Sequence, residues 1–291
     1  MSRFLLNNLL FLCICLIALN HTQADELKFA WELDNFDAPE SVLYDSQHNI
    51  VFLSNVVGVP NEKDGKGYIS TLTLSGELIN KYWITGLNAP KGLAKFDNYL
   101  YVSDIDTLLK ININNGRIEK RYFASEAKFL NDVVVDDNGL VYVSDMLDNS
   151  IYRLSGNNFA IWLHSDELES PNGLHLENNQ LIVGSWGHMT EGFSTDIPGH
   201  LKVVALDSRQ ISSLGDGTPV GNLDGVEVDG NGNFYVTDWL NGGLYLIKRS
   251  GEAEKLMDLP QGSADHDVVL NMNLMLIPKM VENKLTAYKF K

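Results

Sequence analysis

A unit of two short apolar strands joined by a tight polar turn recurs along the chain, and this repeat constrains the fold more than any other feature. Successive units begin 40 to 52 residues apart, a spacing typical of propellers and solenoids. Their turns are rich in Asn, Asp and Gly, which tolerate the positive φ angles of β-hairpins. The pattern therefore predicts an all-β chain. The six units begin at residues 38–42, 90–93, 130–133, 171–174, 223–226 and 265–268.

Two further strand-like runs follow each hairpin, as at residues 67–72 and 77–83 of the first unit. Four strands make one propeller blade, so six units predict six blades. The sixth unit runs out one strand short, at residues 284–290, and an extra strand precedes the first unit at residues 27–33. Pairing of these two runs would close the ring and remove an exposed sheet edge. We therefore predict a single six-bladed β-propeller over residues 25–291, closed by an N-terminal strand in the last blade.

The first 24 residues have the composition of a signal peptide. Arg3 supplies a positive charge, residues 4–19 are almost entirely apolar, and residues 22–24 resemble a cleavage site. An uncleaved N-terminal anchor is the alternative. Both cysteines of the chain lie in this segment, so the rest of the sequence predicts a domain without disulfides. We expect a periplasmic or secreted protein that has no membrane anchor after cleavage.

The formal net charge of the chain is −16. Such a charge repels phosphate backbones and anionic lipid surfaces, which argues against nucleic acids and membrane surfaces as partners. It favours solubility and is compatible with the binding of cations. We expect a monomer whose partner is a small-molecule substrate.

Polar side chains begin the innermost strand of every predicted blade. In a four-stranded blade these positions surround the central channel at one mouth of the propeller. Carboxylate and amide oxygens suit Ca²⁺, with Mg²⁺, Mn²⁺ or Zn²⁺ as alternatives, so Glu40, Asn172 and Asp224 are candidate metal ligands. The alternative is that these residues only cap backbone groups where the strands begin. The six polar residues are Glu40, Lys91, Asn131, Asn172, Asp224 and His266.

Two of the repeat spacings are longer than the others because of insertions at residues 58–65 and 187–194. Both insertions fall between the second and third strands of their blades, the first and the fourth. Connections at this place emerge at the same mouth as the polar residues, so they are expected to wall a small-molecule pocket. Elaboration of the surface without a role in binding is the alternative.

The order of the motifs around the polar positions resembles the senescence-marker-protein/gluconolactonase family over residues 30–291. This resemblance implies a divalent ion held by Glu40, Asn172 and Asp224, with Asn131 facing the metal or the substrate. It also implies hydrolysis of a sugar-type lactone or a related ester, with Asp224 acting as metal ligand and general base. The residues that carry the resemblance are Pro39-Glu40, Asn131-Asp132, Pro171-Asn172-Gly173-Leu174 and Asp224-Gly225.

One position departs from the family pattern. Members often have an Arg two residues before the Asn that corresponds to Asn131, and here Phe129 stands there. A phenyl ring cannot donate hydrogen bonds to sugar hydroxyls, so either the substrate is more apolar or the reaction has been lost. We predict that Phe129, Asn131, Lys91 and His266 face the substrate, the last two as hydrogen-bond donors that orient an anion or as structural groups.

Two functions follow from these residues. The first is an exported divalent-metal-dependent hydrolase of the lactonase type, acting on a lactone or related ester. The second is a non-catalytic periplasmic propeller that binds a peptide, glycan or protein, because propellers carry many unrelated functions.

Overall fold

The computed structural model describes residues 27–290, and these form six antiparallel sheets of four strands each. The predicted signal peptide, residues 1–24, lies outside the described residues. A first strand, β1 (Lys28–Leu33), precedes the blades. Blade 1 contains β2 (Pro39–Asp45), β3 (Ile50–Asn55), β4 (Gly67–Leu72) and β5 (Leu78–Leu87). Blade 2 contains β6 (Pro90–Phe96), β7 (Tyr99–Asp104), β8 (Thr107–Asn112) and β9 (Arg117–Phe123).

The remaining four blades follow the same order, with one inserted hairpin. Blade 3 contains β10 (Leu130–Val135), β11 (Val141–Asp145), β12 (Ser150–Ser155) and β13 (Asn158–His164). Blade 4 contains β14 (Pro171–Glu177), β15 (Gln180–Ser185), the inserted hairpin β16 (Gly187–Met189) and β17 (Thr195–Pro198), then β18 (Leu201–Ala205) and β19 (Ile211–Ser213). Blade 5 contains β20 (Leu223–Val228), β21 (Phe234–Asp238), β22 (Leu244–Ile247) and β23 (Ala253–Met257). Blade 6 contains β24 (Asp267–Val269), β25 (Leu274–Lys279) and β26 (Lys284–Lys289).

The N-terminal strand completes the last blade, as the count of strands predicts. β1 pairs with β26 in antiparallel register, with Trp31 opposite Ala287 and Leu33 opposite Leu285. The order of strands in this sheet is β1-β26-β25-β24, so the first and last strands of residues 27–290 lie in one blade. The prediction of an all-β, six-bladed propeller closed by an N-terminal strand is confirmed. Two 3₁₀ turns, Asp166–Leu168 and Leu270–Met272, interrupt the strands.

The hydrophobic core lies between the blades. Tyr101 and Leu108 of blade 2, for example, pack with Val141 and Val143 of blade 3. Similar clusters join each of the other neighbouring pairs, including blades 6 and 1. Each blade therefore buries its apolar faces only when its neighbours are present, so closure of the ring contributes directly to stability. Within residues 27–290, no helix is long and apolar enough to cross a bilayer.

Residues at the end of the second strand hold the blades in register. The carboxylate of Asp145 accepts hydrogen bonds from the backbone N–H groups of Lys128 and Phe129, at 2.8 and 2.9 Å. The hydroxyl of Ser144 donates to the backbone carbonyl of Asn172 in the next blade, at 2.7 Å. These bonds fix the segment that carries Phe129 and the strand that carries Asn172, so they position residues of the candidate site.

Candidate metal and substrate site

The polar residues of blades 1 to 5 lie at a register shift between the first and second strands. A shift of this kind is a β-bulge, which redirects a side chain and is common beside functional sites. It explains why a polar side chain in an otherwise apolar strand is directed into the channel. The five shifts lie between Pro39 and Val42, Pro90 and Leu93, Leu130 and Val133, Pro171 and Leu174, and Leu223 and Val226.

Glycines after the polar residues bring neighbouring inner strands into backbone contact. A Cβ atom on Gly173 would lie 1.7 Å from the backbone oxygen of Asp224, and one on Gly225 would lie 2.5 Å from Nδ1 of His266. Real Cβ atoms do not approach other atoms this closely. The glycines are therefore required for Asn172 and Asp224 to lie side by side at the channel.

Five of the six predicted polar residues line one cavity of about 370 Å³ at a mouth of the channel. This size is within the range of small-molecule sites. Phe129 lines the same cavity, and each insertion contributes one residue to its wall, Pro60 in blade 1 and Phe193 in blade 4. The five polar residues are Glu40, Lys91, Asn131, Asn172 and Asp224.

His266 lies apart from the other five. It borders a second cavity, of about 230 Å³, further along the inner strands. Its ring is fully buried, and within the described part of the chain neither ring nitrogen has a hydrogen-bond partner. Burial lowers the pKa of His266 to about 3, so the ring is neutral at physiological pH.

Glu40 and Asp224 bring two buried carboxyl groups together at the bottom of the larger cavity. Burial raises the pKa of Glu40 well above its usual range, and the charges of Asp224 and Asp265 raise it further, while Lys91 lowers it. Burial and the charge of Asp265 also raise the pKa of Asp224, against a hydrogen bond from Asn172. Among the described residues, Oε2 of Glu40 has no hydrogen-bond partner. Two buried carboxyls and an unpartnered oxygen fit a bound cation.

The amides of Asn131 and Asn172 complete the group of oxygen donors. Nδ2 of Asn131 donates to Oδ1 of Asn172, and Nδ2 of Asn172 donates to the backbone oxygen of Leu223 at 3.2 Å. Over residues 27–290, no group of three or more His, Cys, Asp or Glu side chains is arranged to hold a metal ion. The candidate set is thus two carboxylates with amide oxygens, a donor set that suits hard cations such as Ca²⁺.

Lys91 is held by the cavity wall. Its ammonium group donates to the backbone oxygens of Pro60 and Ala89, both at 3.0 Å, and lies 4.3 Å from the centre of the Phe129 ring. Burial lowers the pKa of Lys91 to about 8, although the charge of Glu40 opposes this effect. One of its three ammonium protons therefore fastens the blade 1 insertion, a second bonds the segment before β6, and one remains for a ligand.

A second ring of residues, which we call the apolar ring, was not predicted from the sequence. It consists of the residue that directly follows the second strand of each blade, and all six are apolar. Five of them line the cavity, and the sixth, Ile105, packs against Val56 and Met280. The sequence signal was the recurrence of an apolar residue at one position of every repeat. The apolar ring comprises Val56, Ile105, Met146, Trp186, Trp239 and Met280.

The sequence profile of the SMP-30/gluconolactonase/LRE-like region matches residues 67–265, more than half of the chain. The chain belongs to this family. The matched region of this SMP-30/gluconolactonase-like protein includes Asn131, Asn172 and Asp224 and ends just before His266. A search of curated proteins found no match.

Solved structures similar to this SMP-30/gluconolactonase-like protein share its fold. A gluconolactonase from Xanthomonas campestris is 13% identical, with a TM-score of 0.67 over 92% of this chain and 95% of that one. A catalytically inactive virginiamycin B lyase from Staphylococcus aureus, solved with quinupristin, is 12% identical, with a TM-score of 0.59 over 91% and 99%. A nidogen/laminin complex matches at 18% identity and a TM-score of 0.60 over 75% and 79%. At these identities the likeness shows the propeller fold.

The stability of this SMP-30/gluconolactonase-like protein is expected to depend on the buried carboxyl of Asp267, which accepts a hydrogen bond from Tyr44 N at 2.6 Å. Burial raises the pKa of Asp267 to about 6. An unfolded Asp loses its proton near pH 3.9, so the unfolded chain releases this proton first as the pH rises. The free energy of unfolding of the metal-free protein should therefore fall between about pH 4 and 6, by on the order of 3 kcal/mol from this group.

The Asp267→Asn variant tests this expectation, because an amide oxygen still accepts from Tyr44 N but does not titrate. Its melting temperature should fall less between pH 4.5 and 7 than that of the unmodified protein. The charge of Asp267 raises the pKa values of Asp265 and Glu227, so its removal also lowers the repulsion between these carboxyls. An Asp258→Asn control, at an exposed carboxyl, should keep the full decline. Equal declines for both variants would contradict the assignment.

Proposed function

We propose that this propeller is an exported divalent-metal-dependent hydrolase of the gluconolactonase type, acting on a lactone or related ester. The observation that carries the proposal is the convergence of Glu40, Asn131, Asn172 and Asp224 below the larger cavity. Oε2 of Glu40 is buried there without a partner among residues 27–290, as expected for an atom that a cation would satisfy. Membership of the SMP-30/gluconolactonase/LRE-like family supports the same chemistry.

Glu40, Asn172 and Asp224 are the residues that would hold the ion, with Ca²⁺ as the first candidate and Mg²⁺, Mn²⁺ or Zn²⁺ as alternatives. A divalent ion bound there supplies electrophilic activation of the substrate carbonyl. The ion would also balance the negative charges of Glu40 and Asp224. Lys91 balances them only in part, because it carries one positive charge and is bonded to backbone oxygens.

Asp224 is proposed as the general base. It accepts a proton from a water molecule whose oxygen bonds to the carbonyl carbon of the lactone. The ring C–O bond then breaks, and the proton goes to the departing oxygen, which becomes the hydroxyl of the hydroxy-acid product. The amide of Asn131, fixed through Asn172, is placed to orient the substrate.

Export rests on the sequence of residues 1–24, which reads as a cleavable signal peptide. We propose that the mature protein is periplasmic or secreted. We also propose that it acts as a monomer, because the ring closes within one chain through β1 and β26.

Thermal unfolding in the presence of divalent ions tests the proposed metal site. The purified protein is stripped of metal and then titrated with Ca²⁺, Mg²⁺, Mn²⁺ or Zn²⁺. Binding to the native state alone should add about 2.7 kcal/mol to the free energy of unfolding at a hundredfold excess over Kd. We expect a saturable rise in melting temperature that Glu40→Gln reduces, because Oε2 of Glu40 is the unpartnered oxygen of the site.

The exposed pair of Lys255 and Asp258 provides a matched control, since Asp258→Asn removes one carboxylate far less buried than Glu40. This variant should respond to the ions as the unmodified protein does. If no ion shifts the melting temperature, the proposed hydrolase function is wrong, and a non-catalytic propeller that binds a partner is the function that remains.

A further inference from the structure

Apolar side chains form the wall of the larger cavity above its polar floor. Five residues of the apolar ring take part, and Phe129 and Phe193 add two aromatic rings to them. The polar residues that line the cavity, which we call its floor, are Glu40, Lys91, Asn131, Asn172 and Asp224. A ligand that reaches the floor must therefore place the rest of its body against apolar surface.

The aromatic rings of this wall pack against one another in a continuous row. The ring centres of Phe129 and Phe193 are 5.8 Å apart, those of Phe193 and Trp186 are 6.2 Å apart, and those of Trp186 and Trp239 are 5.8 Å apart. The indole Nε1–H of Trp186 donates to the backbone oxygen of Phe193 at 2.8 Å. The wall is thus aromatic, and the indole donor of Trp186 is already bonded to the backbone of Phe193.

Hydroxyl groups of a sugar would meet poor partners on this wall. Each hydroxyl that leaves water without a new hydrogen bond costs free energy, and phenyl, indole and thioether groups supply few such bonds. Lys91, which lines the cavity, already donates two of its three ammonium protons to Pro60 and Ala89. A polyhydroxylated lactone is therefore a poor fit to the wall.

A negative charge on the substrate would also be unfavourable. The chain as a whole carries a formal charge of −16. An anionic lactone would approach against this field.

We propose that the site takes an uncharged lactone whose body is apolar, either aromatic or alkyl. This body packs on the row of aromatic rings formed by Phe129, Phe193, Trp186 and Trp239. This substrate class rests on the proposed hydrolase function. The lactone carbonyl lies over the floor and the apolar body fills the wall, so the same cavity discriminates against sugar lactones.

The test compares dihydrocoumarin, an uncharged aromatic lactone, with glucono-δ-lactone. Hydrolysis of each is followed by the release of acid in the presence of the activating ion. Binding of dihydrocoumarin is followed separately by tryptophan fluorescence in the metal-free protein, since Trp186 and Trp239 line the cavity. We expect a higher kcat/KM for dihydrocoumarin and a saturable change in fluorescence.

Phe193→Ala is the informative variant, because this side chain is part of the wall and is 38% exposed, so its loss should not unfold the protein. We expect Kd and KM for dihydrocoumarin to rise about tenfold, the loss from one phenyl contact, with kcat little changed. Phe123→Ala, at an exposed position on β9, is the control and should leave both constants unchanged.

The outcomes separate the substrate class from the hydrolase function. Binding of dihydrocoumarin that depends on Phe193 but leads to no hydrolysis would support the apolar ligand and overturn the hydrolase. Hydrolysis of glucono-δ-lactone with no binding of dihydrocoumarin would support the hydrolase and overturn the apolar substrate. A Phe193→Ala variant with an unchanged Kd would also overturn the proposed binding wall.

Discussion

Asp224→Asn is expected to lower kcat/KM for lactone hydrolysis by about a thousandfold, the typical contribution of a general base. The same substitution should raise the melting temperature of the metal-free protein at pH 8. The amide cannot take a proton from water, so catalysis is lost. The substitution also removes one of two buried carboxyls whose pKa values are raised by burial and neighbouring charge. The metal-free protein then no longer has to bury that negative charge at pH 8, so its free energy of unfolding rises.

These opposite effects distinguish a site residue from a purely structural one, whose loss would lower activity and stability together. The variant should also lose the rise in melting temperature that divalent ions produce, because a neutral amide replaces an anionic ligand. Asp258→Asn serves again as the control for loss of one surface charge. Asp224→Asn protein that keeps activity within tenfold of the unmodified protein would exclude Asp224 as the base.

Gly173→Ala is expected to prevent folding or to lower the free energy of unfolding by more than about 4 kcal/mol. A Cβ atom at this position would lie 1.7 Å from the backbone oxygen of Asp224 and 3.0 Å from Cγ2 of Val226. Relief would require the inner strands of blades 4 and 5 to move apart, and both are packed against further blades. Equilibrium unfolding in urea, or the yield of folded protein, measures the effect.

Gly156→Ala is the matched control in the same part of the chain. Gly156 has a φ of +61°, but nothing lies within 4 Å of a Cβ atom built there. Its substitution should therefore cost only about 1 to 2 kcal/mol, the strain of a left-handed conformation. A similar cost for both variants would contradict the requirement for close contact between the strands at Gly173.

The fold was largely predictable because its signals are local and repeated. Hairpin turns and alternating strands recur six times. The sixth unit ended one strand short, with its last strand at residues 284–290, and an extra strand stood at residues 27–33. A closed ring is the arrangement that pairs those two runs, and β1 pairs with β26 accordingly. Polar residues at the start of apolar inner strands likewise pointed to the channel, and five of them line one cavity.

His266 shows where the repeat alone misleads. The structure places Ala264, two residues earlier, at the polar position of the sixth unit. The hydroxyl of Thr237 donates to the backbone oxygen of Ala264, as the hydroxyl of Ser144 donates to that of Asn172. The register shift of the sixth blade lies between Ser263, opposite Lys279, and Asp267, opposite Leu276, so His266 stands at the end of the shift. His266 consequently packs against Gly225 and borders the other cavity. A β-bulge depends on hydrogen bonds between two strands, so it is not visible in one strand's sequence.

The character of the cavity also depends on groups that are distant in the sequence. Phe129, Trp186 and Phe193 are single apolar residues in three separate segments, and each is compatible with an ordinary core position. They become a wall because the blade 4 insertion returns over the channel and because Asp145 fixes the segment of Phe129. The sequence left Lys91 as a donor to a ligand or as a structural group, and only the structure shows that it bonds backbone oxygens from two segments.

Local periodicity thus specified the six blades, the closing strand and the polar groups at the channel, because each of these follows from the pattern within a single repeat. The shape and polarity of the pocket arise from contacts between repeats. Backbone carbonyls, ring faces and the approach of neighbouring inner strands at Gly173 and Gly225 acquire their roles only when the ring has closed. Discrimination between an apolar lactone and a sugar lactone would therefore depend on contacts that exist only in the assembled propeller.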